Sequence, residues 1–165
     1  MASAPPFEPP LSRLPDFDPR AIPVLGVDAH LPQVPAQQQT PQALRERFRR
    51  PPVWAPEIAS EKRFSERALA HASVLLPIVL RDQPMVLLTE RTLHLSTHSG
   101  QVAFPGGRAD PEDASPADTA LREAEEEVGL ERRFVEVLGA LPTCRSGSSF
   151  IITPVVALVQ PGCVL

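Results

Sequence analysis

Three glutamates, Glu123, Glu126 and Glu127, are spaced so that a helix would carry all of them on one side. At about 100° per residue they fall within an arc of about 100°, apart from the narrow apolar stripe of Ala117, Leu121, Ala124 and Val128. A run of Glu is ordinarily a solvated acidic face. Here the pattern works against the helix that carries it. Glu123 and Glu127 are like charges at i, i+4, which costs roughly 0.2 to 0.5 kcal/mol. All three also lie in the C-terminal half, where the macrodipole disfavours each by up to about 1 kcal/mol. A hard divalent cation reverses the sign of those terms, because Mg²⁺ and Mn²⁺ take oxygen ligands and bridge carboxylates to phosphates. The face therefore reads as a site for Mg²⁺ or Mn²⁺.

The elements that would position these carboxylates have local signals. Ser115 caps the helix, Pro116 suits its first position, Asp118 completes a Ser-x-x-Asp capping box and Gly129 closes it in a left-handed conformation. Upstream, Pro105 stiffens a turn in which Gly106 and Gly107 let the backbone approach a ligand closely.

Joined at this spacing to Arg122-Glu123-Ala124-Glu125-Glu126-Glu127-Val128-Gly129-Leu130, the turn resembles the Nudix box, G-x5-E-x7-R-E-U-x-E-E-x-G-U with U a bulky aliphatic residue. With Gly107 opening the box, Asp113 stands where Glu is usual, the spacing to Arg122 is x8, and Ala124 takes the first aliphatic position. These departures are similar to the coenzyme A pyrophosphatases of that superfamily. Their GGxxDxxD start is matched by Gly106, Gly107, Asp110 and Asp113, and their ALREAxEE-type helix by Ala120 to Glu127. Their upstream signature, LLTxR[SA]x3Rx3Gx3FPGG, is matched by LLTERTLHLSTHSGQVAFPGG, Leu87 to Gly107, except that Thr92 replaces Ser or Ala and Ser96 replaces the second Arg.

The resemblance implies an α/β fold, a Nudix-type α/β/α sandwich with a mixed sheet, and hydrolysis of a nucleoside diphosphate linked to another group. It makes Glu123, Glu126, Glu127 and the Gly106 carbonyl the expected metal ligands, with Arg122 orienting a carboxylate. Glu123 is one candidate for the general base. Arg91, Gly107 and Arg145 are the expected substrate contacts. The leading substrate is coenzyme A or an acyl derivative, giving 3′,5′-ADP and 4′-phosphopantetheine. ADP-ribose or nucleoside triphosphates are the alternative within the same chemistry, and a non-catalytic nucleotide-binding module or an inactive fragment is the alternative outside it.

Composition bounds the rest. The chain has 165 residues, room for one ordinary domain, and a formal net charge of −4, which offers no electrostatic footprint for nucleic acid. Cys144 and Cys163 are too few for a disulfide framework. No apolar run reaches the roughly 18 residues needed to span a bilayer, and there is no signal-peptide pattern at the start. A cytoplasmic protein binding a small nucleotide, with homodimerisation left open, is the expectation.

Thirteen of the 21 prolines fall within residues 1–56, so residues 1–39 read as a Pro-rich flexible arm and residues 40–71 as a short helical lead-in. In the lead-in, Thr40 and Pro41 start a basic helix whose Arg45, Arg47, Arg49 and Arg50 read as a solvated face, with phosphate contact as the alternative. A second helix is expected from about Ser60 to Leu69, and Trp54 is expected to cover the core edge. Residues 72–165 read as the Nudix domain. It opens with a hairpin of Val74–Leu80 and Met85–Thr89, Pro77 marking an edge position or a bulge. A loop with His94 and His98 follows, then a short strand near Gln101–Phe104. After the helix come a strand at Phe134–Leu141, the polar loop Thr143–Ser149 and a strand at Phe150–Val159. Such a domain is expected to close with a further helix, so an incomplete C-terminal end is part of the expectation.

Overall fold

A computed structural model describes residues 23–26, 30–51, 53, 67–90 and 102–163. Trp54, residues 60–66 of the expected second helix, and the loop with Arg91, Thr92, His94, Ser96, His98 and Gly100 lie outside the described residues. Arg67 to Leu69 are not helical. No helix among the described residues is long and apolar enough to cross a membrane.

The axis of the fold is a parallel pair, β1 (Ala70–Val79) and β8 (Phe150–Val159), joined in register along all ten residues. Parallel strands are covered on both faces, which is why both segments read as nearly continuous apolar runs. The outer edge of β1 is shared by β5 (Gly106–Arg108) at its start and β2 (Met85–Val86) at its end, both antiparallel. The outer edge of β8 is shared in the same way by β7 (Cys144–Arg145) and β6 (Val135–Ala140). The expected hairpin after β1 is present, but its second strand stops at Val86. Thr89–Glu90 (β3) instead pairs with Val102–Ala103 (β4) in a separate two-stranded sheet.

Pro77 is in an inner strand, which corrects the edge or bulge expectation. Its carbonyl accepts from the Leu87 amide, 3.0 Å away, so its nitrogen also faces the outer edge. There it meets the gap between β5, which pairs as far as Val74, and β2, which pairs from Ile78. No ladder bond is lost. Pro154 is placed likewise in β8: its carbonyl accepts from the Leu141 amide at 2.9 Å, between the partners of β7 and β6.

One face of the sheet presents Leu75 and Val79 of β1 with Val155, Ala157 and Val159 of β8 to Ala120 and Ala124 of helix α2 (Pro116–Val128) and to Leu130. The opposite face carries Val156 and Leu158, and with them their β6 partners Gly139 and Glu136. Helix α1 (Pro41–Arg49) lies there. The Arg45 guanidinium forks onto Glu136 at 2.8 and 2.7 Å, and the Phe48 ring occupies the space a side chain on Gly139 would need. The pairing of β6 with β8 shifts register between Val137 and Gly139, beside that contact. The result is an α/β/α sandwich whose second layer, over β6, comes from the N-terminal side.

Thr40 caps α1 by accepting the Ala43 amide at 3.2 Å. Of the arginines read as a solvated face, Arg45 belongs to the helix–sheet contact, while Arg49 and Arg50 stand 3.4 and 3.8 Å from Glu46.

Candidate active site

Gly106 and Gly107 form the start of strand β5, which corrects the expectation of a turn at these two residues: Val74 opposes Gly106 and Ser73 opposes Gly107, and the bend is confined to Pro105 before them. A Cβ on Gly106 would strike the Ser73 carbonyl and lie 2.6 Å from the Val74 Cα, so only glycine lets β5 approach this closely. A Cβ on Gly107 would instead meet the Glu123 carboxylate. The two glycines thus face different neighbours, one the sheet and the other the helix.

Helix α2 is held over this strand by its ends. The Ser115 hydroxyl accepts the Asp118 amide at 3.2 Å and donates to the Asp118 carboxylate at 2.7 Å. At the other end Gly129 is left-handed, with φ 69°, and its amide donates to the Ala124 and Glu125 carbonyls. The following Leu130 is fully buried, which locks the exit of the helix into the core.

Arg122 is the hub of the site. Its Nε and Nη2 donate to the two oxygens of Asp113 at 3.1 and 3.0 Å, Nη1 donates to Glu123 Oε1 at 2.8 Å, and Nη2 also reaches the Arg108 carbonyl at 3.0 Å. Asp113 accepts in addition from the Asp110 amide and the Thr119 hydroxyl, both at 2.9 Å. The Arg122 fork, then the Asp110 amide and the Thr119 hydroxyl, hold the Asp113 carboxyl far below the usual carboxylate range against the opposing effect of burial. The same bonds, that to Asp113 first and that to Glu123 second, raise Arg122 above its ordinary value.

The three helix glutamates differ in freedom. The Glu123 side chain is 17% exposed and bound to Arg122, whereas that of Glu126 is 62% exposed, with Oε1 3.6 Å from Arg122 Nη1. Glu127 Oε2 accepts the Gly106 amide at 3.1 Å. Among the described residues no three His, Cys, Asp or Glu side chains are gathered closely enough to hold a metal ion as they stand. The donor set nevertheless fits Mg²⁺ or Mn²⁺ in kind. It is all oxygen, two of its carboxylates are fixed beside Gly106 and Gly107, and the third is largely exposed and held only by a 3.6 Å ion pair to Arg122.

Not every expected site residue joins this group. Arg145 lies in β7 rather than in a loop, its side chain exposed, and it pairs with Ile151. The strands β8 and β1 stand between it and β5, so at about 4.8 Å per strand it is roughly 14 Å away across the sheet. The loop reading of Thr143–Ser149 holds at Thr143 and from Ser146 to Ser149, while Cys144 and Arg145 form β7. Arg91 lies outside the described residues. Thr119, only 1% exposed, is a member of the network that the sequence reading did not single out. Its position three residues before Arg122 was the available signal.

The profile described as NUDIX domain matches residues 69–156, a span that holds β1, the glycine pair of β5, all of α2, β6 and most of β8. The chain belongs to the Nudix family. The protein called Uncharacterized Nudix hydrolase NudL of Yersinia enterocolitica is 58% identical over 89 residues, 54% of this chain and 46% of its own length. A protein of the same description from Photorhabdus laumondii is 53% identical over 92 residues, 56% of this chain and 49% of its own. The chain therefore spans about half the length of the curated relatives it matches. Among solved structures, a Nudix hydrolase from M. smegmatis, RenU, superposes with a TM-score of 0.50 at 24% identity, covering 59% of this chain and 66% of that one. That likeness concerns the fold. In the stretch that resembles the Nudix box, Gly107 to Leu130, Arg122 ties Asp113 to the first helix glutamate, Glu123.

Proposed function

We propose that this chain hydrolyses the pyrophosphate bond of coenzyme A or an acyl-coenzyme A, giving 3′,5′-ADP and (acyl-)4′-phosphopantetheine, with Mg²⁺ or Mn²⁺ as cofactor. The observation that carries the chemistry is the convergence of Glu123 and Glu127 on the Gly106–Gly107 pair, with Arg122 anchored beside them. The substrate class rests on Leu87 to Gly107, the stretch similar to the coenzyme A signature, whose last residues enter β5 directly.

Glu123, Glu126, Glu127 and the Gly106 carbonyl would hold the metal. A bound divalent ion neutralises phosphate oxygens and lowers the pKa of the attacking water. The chain's own residues do the positioning. Arg122 spends its donors on Asp113, Glu123 and the Arg108 carbonyl, so it orients a carboxylate rather than reaching for substrate. Glu123, held by Arg122 beside Gly107, is one candidate for the general base. Gly107 leaves the space for that carboxylate; Arg91 is the proposed phosphate contact, and Arg145, across the sheet from β5, is proposed only for a part of the substrate remote from the pyrophosphate. Water attacks one phosphorus, the P–O–P bridge breaks, and each product leaves with a terminal phosphate.

The test compares coenzyme A, ADP-ribose and dGTP at constant Mg²⁺, with products separated by chromatography. Preference for coenzyme A is expected. Preference for ADP-ribose or dGTP would refute the substrate and leave the metal chemistry standing. Glu126→Gln and Glu127→Gln are expected to weaken Mn²⁺ binding severely, and unchanged titrations in both would refute the metal reading.

A further inference from the structure

We infer that Thr119 is a positioning residue for the metal carboxylates, the buried end of a relay that runs Thr119, Asp113, Arg122, Glu123. Its consequence at Glu123 rests on the metal reading proposed above; the relay itself does not.

Asp113 occupies the place where the box pattern has Glu, so its carboxylate is one methylene shorter, and the spacing to Arg122 is one residue longer. A shorter arm needs its carboxylate pinned from more sides to meet a guanidinium squarely. Three donors do this. Arg122 supplies two parallel N–H groups, the Asp110 amide supplies a third bond, and Thr119 Oγ1 donates to the same oxygen, Oδ2, at 2.9 Å. The arginine and the amide are both near the surface. Thr119, at 1% exposure, is the only one of the three anchored inside the core layer of α2. Its alternative acceptor, the Ser115 carbonyl, is at 3.5 Å, so the hydroxyl is committed to Asp113. With Asp113 fixed, the guanidinium plane of Arg122 is fixed, and Nη1 is aimed at Glu123 Oε1 at 2.8 Å. Threonine suits the position because its methyl packs while its hydroxyl donates.

The variants are Thr119→Val, which keeps the shape and deletes the donor, and Thr119→Ser, which keeps the donor. Thr119→Ala carries the same reading if the valine variant does not fold. The first readout is hydrogen exchange at the Arg122 Nε–H, followed by NMR in the metal-free chain. Thr119→Val is expected to speed it about fivefold, the effect of one net hydrogen bond, and Thr119→Ser to restore it. The second readout is Mn²⁺ titration, where a loss on the order of tenfold is expected for Thr119→Val, with kcat lowered and KM unchanged on whichever pyrophosphate the protein cleaves. Unchanged Arg122 exchange in a folded hydroxyl-deficient variant would overturn the relay. Faster exchange with unchanged Mn²⁺ affinity would overturn its reach to Glu123. A native protein that binds no Mn²⁺ would instead overturn the metal reading, and the Arg122 exchange would still decide the relay.

Discussion

Adding one methyl group to each of the two β5 glycines should have opposite consequences. In Gly106→Ala the new Cβ meets the Ser73 carbonyl and lies 2.6 Å from the Val74 Cα, both backbone atoms of the central strand. Nothing there can rotate away, so β5 must lift off β1, at a cost of about 3 kcal/mol or more by analogy with overpacked cores. In Gly107→Ala the new Cβ meets Glu123 Oε2 first and lies 2.5 Å from Cδ, well inside the 3.4 Å at which ordinary contact begins, so the carboxylate must retreat by about 1 Å. A side chain on a helix surface can do that with little loss of stability. The retreat, however, stretches the 2.8 Å bond from Arg122 and moves a proposed metal ligand. A bond that is lengthened rather than removed keeps most of its contribution to stability, whereas a displaced ligand costs a metal about tenfold or more in affinity, so Mn²⁺ affinity and turnover should fall by at least about tenfold. Circular dichroism melts and Mn²⁺ titrations on both variants separate the effects. Gly106→Ala should melt more than 10 °C lower, taking about 4 °C per kcal/mol, and Gly107→Ala within a few degrees of the unmodified chain. Equal loss of stability in both, or unchanged metal binding in Gly107→Ala, would refute this division of labour.

Because the Asp113 carboxyl is depressed in the folded state, its contribution to stability is fully present above its unfolded pKa of about 3.9 and is lost as pH falls towards the folded value. Asp113→Asn should therefore lower stability at pH 7 and flatten the decline between pH 5 and 2; urea melts at pH 7, 4 and 3 with identical slopes for both proteins would contradict it. Phe48→Ala removes a half-buried ring from Gly139 and should cost about 1 to 2 kcal/mol, seen as a melt several degrees lower. Removing residues 1–39, which include the exposed segments 23–26 and 30–39, should leave the melt within a few degrees, whereas removing residues 1–50 should lower it clearly by stripping α1 from β6. Equal melts for the two deletions would show that α1 contributes nothing.

The sequence by itself determined the features written in short-range contacts. Both ends of α2 are visible as Ser115 and Gly129, because a cap is a hydrogen bond to an amide or carbonyl a few residues away. The strand Phe150–Val159 is visible as an unbroken apolar run. The candidate site was legible because the glycine pair and the acidic helix are separated by only a short connection, so spacing alone puts Arg122, Glu123 and Glu127 within reach of Gly106 and Gly107. Tertiary structure decided what depends on partners far along the chain. Nothing near Pro77 says that the strand on its outer edge is split, which is the condition that admits a proline to an inner strand. Nothing near Arg45 names Glu136, 91 residues away, as its partner. The N-terminal helix closes the second face because β6 presents a carboxylate and a bare glycine there, and that presentation exists only after β6 has paired with β8. Thr119 is the intermediate case. Its place before Arg122 is in the sequence, but its hydroxyl turns towards Asp113 only once α2 has packed on the sheet and left it no water to bond.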